Sequence, residues 1–329
     1  MLDSSQLRTW NPKNLSVDLI EDGEIYHSSL YEDSTYLNPR SWHKQATEPL
    51  IHLVKNSIKD GDIVLDYGSG TGGSAVELVK YLDKNSIDCH LILIDPLESW
   101  FSKAYSLLKD RPNTYFCKSF IKDSLGVSRF LTMEEMIGNN KIDIILSSST
   151  FHLIPEFVFG NLLEQFHSSL KQKGQIFWSS GDIPNKEIFD SRAGLLHEPY
   201  RVLAEYLKDD KEYKKHLNKL ENSEIDFLLS KSSKIFPVSK DIDFFKRSFS
   251  NLFKGSIINS EVSKSLDEAC LFMKNHRLSE VAGAVSDRPT RELIINSNLE
   301  KVYAYFDSIG FVKDNNYNSF WYYGSYYKV

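Results

Sequence analysis

Ile63-Val64-Leu65-Asp66-Tyr67-Gly68-Ser69-Gly70-Thr71-Gly72-Gly73-Ser74 is the stretch that decides the fold. A short apolar run rich in β-branched residues ends in an acid, and a glycine-dense turn follows at once. The next eight residues, 75–82, carry apolar side chains at 75, 78, 79 and 82. That order reads as strand, tight loop, helix. Glycines at 68, 70 and 72 permit positive φ and leave room for a ligand against the main chain. The helix start beyond them offers unpaired N–H groups and a partial positive charge. A pyrophosphate can use such a turn, and the spacing Gly68-x-Gly70-x-x-Gly73 admits a dinucleotide. Asp66 is the better discriminator, because a carboxylate repels a pyrophosphate and favours a ligand bearing an ammonium group.

Further strands follow in order. Residues 91–95 form a buried run ending in Asp95-Pro96. An acid at that strand tip can accept both hydroxyls of a ribose or cap the helix over 98–109. A third strand is expected over 114–118 and a fourth over 142–146, with Ser147-Ser148-Ser149-Thr150-Phe151-His152 in the loop after it. A helix over 155–170 leads through Gly174 into a fifth strand, 175–179. Strands alternating with helices of this length define an α/β, doubly wound, mostly parallel sheet. Residues 290–309 read as a helix, and 310–313 with 319–329 as a terminal β-hairpin.

The motif acid-x-Gly-x-Gly-x-Gly at 66–72 resembles the first motif of the class I S-adenosylmethionine-dependent methyltransferases, and the likeness extends over 60–182 and 290–329. It implies a seven-stranded sheet closed by the terminal hairpin, with S-adenosylmethionine as cofactor. By this resemblance Asp66 lies near the cofactor's amino group. Gly68, Ser69, Gly70, Thr71 and Gly72 lie under its methionine and ribose portions, and Asp95 with Pro96 at the ribose. Ser119 and Phe120 flank the adenine, although the acid the family often shows there is missing. Ser147 and Ser148 stand at the crevice end of strand four. His152, in the same loop, is the candidate catalytic base. A sulfonium is already a good leaving group, so positioning of the nucleophile can carry much of methyl transfer.

Composition bounds the rest. The chain has 329 residues, 41% hydrophobic and 26% charged, enough for a globular core. The formal charge of −6 argues against a polyanionic partner, so no nucleic acid is expected. No apolar run reaches membrane-spanning length, the N-terminus lacks signal character, and three sparse cysteines fit a reducing, cytoplasmic setting. Serine replaces the first of the paired carboxylates that magnesium-dependent catechol-type enzymes use, so no metal is expected. The Asn/Asp-Pro-Pro-Tyr/Phe motif of nucleic-acid amino-methylating enzymes is absent after strand four.

These readings divide the chain into an N-terminal lid segment, 1–45, a cofactor-binding core, 46–184 and 285–329, and a helical cap inserted at 185–284. The cap would supply acceptor contacts and a homodimer surface. Tyr31 and Tyr36 of the lid, and Trp178, Asp182, Arg192 and His197 around the cap entry, are the candidate substrate contacts. The implied activity is methyl transfer to an oxygen or nitrogen of a small-molecule acceptor. An enzyme putting the same cofactor to another use, and a protein or RNA methyltransferase, are the alternatives, with a non-catalytic interaction protein more distant.

Overall fold

A computed structural model describes residues 2–12, 15–27, 42–122, 126–185, 194–221, 240–265, 285, 287–314 and 316–329. Helices α1 (Val17–His27) and α2 (Trp42–Lys55) precede β1 (Ile63–Tyr67), α3 (Gly73–Lys84), β2 (His90–Asp95), α4 (Glu98–Leu108) and β3 (Thr114–Lys118). A small ribbon, β4 (Phe120–Lys122) with β5 (Ser128–Phe130), and the short α5 (Met133–Ile137) follow. Then come β6 (Ile142–Ser148), α6 (Glu156–Ser169), β7 (Leu170–Ser180), α7 (Glu198–Leu207) and α8 (Lys211–Leu217). The chain closes with α9 (Ile242–Ser250), β8 (Phe253–Ser265), α10 (Arg288–Ser308), β9 (Val312–Lys313) and β10 (Asn316–Lys328).

The central sheet runs β3-β2-β1-β6-β7-β10-β8, with β9 attached to β10. β3, β2, β1, β6 and β7 are parallel, whereas β10 is antiparallel to both its neighbours. The central strands are apolar because both faces are covered, as parallel sheets require. Alternate residues go to opposite layers. Val64, Leu91 and Leu93 join the layer under α2, α3, α4 and α10, while Ile63, Leu65, Ile92 and Ile94 join that under α5, α6 and α9. Strand order reverses between β1 and β6, so a crevice opens at their carboxyl ends.

The sheet is the α/β architecture expected, with one correction to its edge. Residues 253–265, read from sequence as part of a helical insertion, form a strand paired with β10 along its whole length, from Phe253↔Lys328 to Ser265↔Asn316. β9 meets β10 over two residue pairs only. The expected terminal hairpin is thus present as the short β9–β10 pair, and the correction is that β8 supplies the long outer partner of β10. The reason β8 escapes a pattern search is its position. An outermost strand turns most of its side chains to water, and charged or polar residues there block edge-to-edge association. In β8 Val262 and Lys264 are buried, while Lys254, Ser256 and Ile258 are exposed. Within the segment 185–284 read as helical, 266–284 lie outside the described residues. In the same segment α7, α8 and α9 are helical as expected, and 222–239 likewise lie outside the described residues.

Close backbone approach fixes β8 against β10. A Cβ on Gly255 would stand 2.1 Å from the Ser325 carbonyl oxygen and 2.6 Å from the Tyr326 Cα. Both are backbone atoms that cannot move aside. Gly255→Val is therefore expected to destabilise the protein by about 2 kcal/mol or more, measured by denaturant unfolding. A neutral result would mean that 253–265 is a dispensable decoration.

Candidate functional site

At the carboxyl ends of β1, β2 and β6 lies a cavity of about 520 Å³. Asp66 is its anchor. The acid occupies the penultimate position of β1, is 1% exposed, and neither carboxylate oxygen has a hydrogen-bond partner. Burial, with repulsion from Asp95 added, raises its pKa to about 7. Asp95 is also buried and is pushed up to about 6, chiefly by that burial. Unlike Asp66 it is partnered: Oδ2 accepts the Gly70 N–H at 2.7 Å and Oδ1 the Leu97 N–H at 2.8 Å. The second acid thus ties the glycine loop to the turn before α4, whose N-cap is Leu97 without a side-chain cap, so Asp95 does not cap that helix.

The turn between β1 and α3 needs its glycines. Gly68, Gly70 and Gly72 have φ of +74°, +53° and +86°. A Cβ on Gly68 would lie 2.3 Å from Thr150, whose hydroxyl is within 3.1 Å of the Gly68 carbonyl and 3.0 Å of that of Ser148. The loops after β1 and β6 are thereby locked together. At Gly72 the Cβ would come within 3.0 Å of Ala104, so this glycine serves the approach of α3 to α4 and does not line the cavity.

Of the other sequence-predicted residues, Ser69, Thr71, Pro96, Ser119, Ser148, His152 and His197 line the cavity together with Asp66, Gly68, Gly70 and Asp95. Ser147 does not; it is fully buried and its hydroxyl donates to the Tyr67 carbonyl at 2.9 Å. Phe120 also lies off the lining, packed edge-on to Phe130 at 5.1 Å, and Phe130, Leu131 and Thr132 form the wall in its place. Trp178 is a core residue, stacked on Phe249 at 5.9 Å and out of reach of a ligand. Tyr31, Tyr36 and Arg192 lie outside the described residues. Sequence reasoning missed Trp42, His43 and Thr47 at the start of α2, and Trp321 of β10, all on the cavity wall.

A buried carboxylate organises the far end. Asp182, off the cavity itself, accepts the His197 backbone N–H at 2.8 Å through Oδ1 and contacts His197 Nδ1 through Oδ2. His152 Nε2 faces the same Oδ2 at 3.6 Å, and its Nδ1 lies 3.0 Å from Ser180 Oγ. Burial raises the Asp182 pKa, but His197 and then His152 bring it down to about 2, so it stays ionised at neutral pH. Burial depresses His152 to about 4 against the pull of Asp182, which keeps the imidazole neutral. These three side chains are also the His/carboxylate cluster among the described residues with ligand atoms within 4.8 Å of one another. The direct His197 Nδ1–Asp182 contact fits a shared proton better than a shared ion.

Lys240, at the start of α9, is 2% exposed and donates to the carbonyls of Phe151, His152 and Ile154. Two residues on, the Ile242 N–H donates to the Pro184 carbonyl at 2.9 Å. One short segment therefore holds both the turn carrying His152 and the loop carrying Asp182.

Comparison with known proteins bears on the family and the fold. A family described as a methyltransferase domain matches residues 58–242. No curated protein matches the sequence significantly. Among solved structures, a loganic acid methyltransferase bound to S-adenosylhomocysteine is similar with TM-score 0.52 at 10% identity, covering 94% of each chain. A cyclopropane synthase from Mycobacterium tuberculosis is similar with TM-score 0.51 at 11% identity, covering 97% of this chain and 100% of that one. The chain belongs to the class I S-adenosylmethionine-dependent methyltransferases, and S-adenosylmethionine is its cofactor. Among the described residues, no helix is long and apolar enough to cross a membrane.

The state of Asp66 gives a stability test needing no ligand. A carboxyl whose folded pKa lies above its unfolded value near 4 contributes stability below that value. The contribution is lost as pH rises through the folded pKa of about 7. The unliganded wild type should therefore lose on the order of a few kcal/mol relative to Asp66→Asn between about pH 4 and pH 7. Thermal unfolding of both proteins across that range measures it, and parallel curves would contradict the assignment.

Proposed function

We propose that this enzyme transfers the methyl group of S-adenosylmethionine to an oxygen or nitrogen of a small-molecule acceptor. The observation that carries the reading is Asp66, a buried carboxylate facing the cavity with both oxygens lacking a protein partner. Such an acid is costly unless a ligand completes it, and the ligand that suits it is a cation. The cofactor's amino group fits, and the wide turn at Gly70, where a Cβ would meet nothing closer than Trp100 at 3.9 Å, leaves main chain open beside it. Asp95 keeps lone pairs beyond those taken by the Gly70 and Leu97 N–H groups, and these suit two ribose hydroxyls. Ser119, Leu131 and Phe130 would flank the adenine.

Bound there, the cofactor supplies an electrophilic methyl group on a sulfonium. The remaining work of the protein is to seat the acceptor in line, exclude water and receive a proton. Trp42, His43, Thr47, Leu196, His197 and Trp321 make a wall suited to the acceptor. In this reading the segment after β7, where Leu196 and His197 lie, covers the acceptor. The imidazole pair held by Asp182 takes up the proton. His152 has one nitrogen on Ser180 and the other turned to Asp182, which suits it to proton sharing within the pair.

Two measurements test this. Asp66→Asn removes the charge that would meet the ammonium, so S-adenosylhomocysteine affinity should fall about 10- to 100-fold by calorimetry, the range of a charge-assisted hydrogen bond. Unchanged affinity would remove Asp66 from the site. Incubation with methyl-labelled cofactor and pools of hydroxyl- and amine-bearing metabolites should yield a labelled small molecule by mass spectrometry. Label found only in protein or RNA would overturn the acceptor class.

A further inference from the structure

We propose that the acceptor is an uncharged, largely apolar molecule carrying a flat ring beside its reacting hydroxyl or amine. The proposal deepens the methyl-transfer reading above and rests on it. Trp42 and Trp321 are nearly buried, stand 6.3 Å apart centroid to centroid and are inclined by 39°, so two packed indoles form part of the acceptor wall. Trp321 is braced from behind: a Cβ on Gly181 would come within 2.6 Å of its ring, so the glycine is what lets the indole sit there. Aromatic surfaces of this kind favour a flat partner, offset or edge-on.

The charges around this wall are already committed. Among the described residues no Lys or Arg lines the cavity. The two buried ammonium groups nearby serve the backbone. Lys240 donates to the carbonyls of Phe151, His152 and Ile154, and Lys264 donates to that of Leu196 at 2.9 Å while lying over the Trp42 ring. On the acidic side, Asp66 and Asp95 belong to the cofactor end, and Asp182 is engaged by His197 and His152. His43 and His152 are neutral at physiological pH, because burial pushes them down to about 3 and about 4. A phosphate or carboxylate on the acceptor would meet no lysine or arginine among the described residues lining the cavity, and burying such a group unpaired is costly. A neutral hydroxyl or amine, by contrast, needs no counter-charge in such a wall.

The solvent edge of the cavity repeats the pattern. Leu153 and Val158, away from the adenine side, line it yet are 39% and 38% exposed. Large apolar side chains left in water at the mouth of a pocket suit an apolar ligand passing or extending through it.

Calorimetry on the S-adenosylhomocysteine-loaded full chain tests the proposal with 2-naphthol, 2-naphthyl phosphate and phosphoethanolamine as probes. The expected result is saturable binding of 2-naphthol at least tenfold tighter than of either phosphate. Trp321→Ala should abolish that preference and Trp321→Phe restore most of it, each with S-adenosylhomocysteine affinity kept within twofold. If Trp321→Ala does not fold, the wild-type comparison and Trp321→Phe still decide. A phosphate probe binding as tightly as 2-naphthol, or no naphthol binding by protein that holds S-adenosylhomocysteine, would overturn the proposal alone. Failure to bind S-adenosylhomocysteine would overturn the methyl-transfer reading beneath it and the proposal together.

Discussion

A carboxylate sealed inside a protein without a hydrogen-bond donor or a counter-charge is unfavourable, and Asp66 is such a group. β1 places it at the switch point of the sheet, where strand order reverses and loops on either side diverge. The neighbouring acid could have been its partner in a looser arrangement, but Asp95 instead receives the Gly70 and Leu97 N–H groups and adds repulsion. Everything close to Asp66 is rigid. Thr150 bridges the Gly68 and Ser148 carbonyls, Gly72 seats α3 on α4, and the Gly68 and Ser69 N–H groups both reach the Ile94 carbonyl. The fold holds an unpartnered carboxyl in place, raised to about 7, which a cationic ligand would ionise.

The same division of labour holds at the other end of the cavity. Asp182, unlike Asp66, is saturated, and its role is to orient two imidazoles. Its loop and the His152 turn leave different strands, β7 and β6, and are stitched together by Lys240 and Ile242 at the start of α9. A buried ammonium on three carbonyls is a strong local restraint, since it draws the carbonyls of Phe151, His152 and Ile154 around one donor. Site geometry thus depends on α9, an element distant in sequence from both loops.

Much of this was legible in the sequence, for identifiable physical reasons. β1, β2 and β6 are buried on both faces and so appear as apolar runs, and the acids at the ends of β1 and β2 stand out against that background. The glycine turn is legible because positive φ leaves few alternatives to glycine at 68, 70 and 72. β8 was not, since an edge strand with Val262 as its one fully buried apolar side chain past Phe253 carries little periodicity. Nor was the acceptor wall. Trp42 and His43 come from a helix before the core and Trp321 from the penultimate strand of the sheet order, and only the insertion of β10 between β7 and β8 brings them together. Adjacent serines show the limit at single residues: Ser148 reaches the cavity, whereas strand alternation turns Ser147 onto the Tyr67 carbonyl.

The central claim is that Asp66 waits, largely protonated below neutrality, for the cationic end of the cofactor. Calorimetric titration of S-adenosylhomocysteine at about pH 6.5, in buffers of different ionisation enthalpy, reads the protons exchanged on binding. With an unliganded pKa of about 7 that an ammonium partner would lower, the account predicts release of more than half a proton per ligand bound, absent from Asp66→Asn. Binding of the ligand to wild type with no proton release would contradict it.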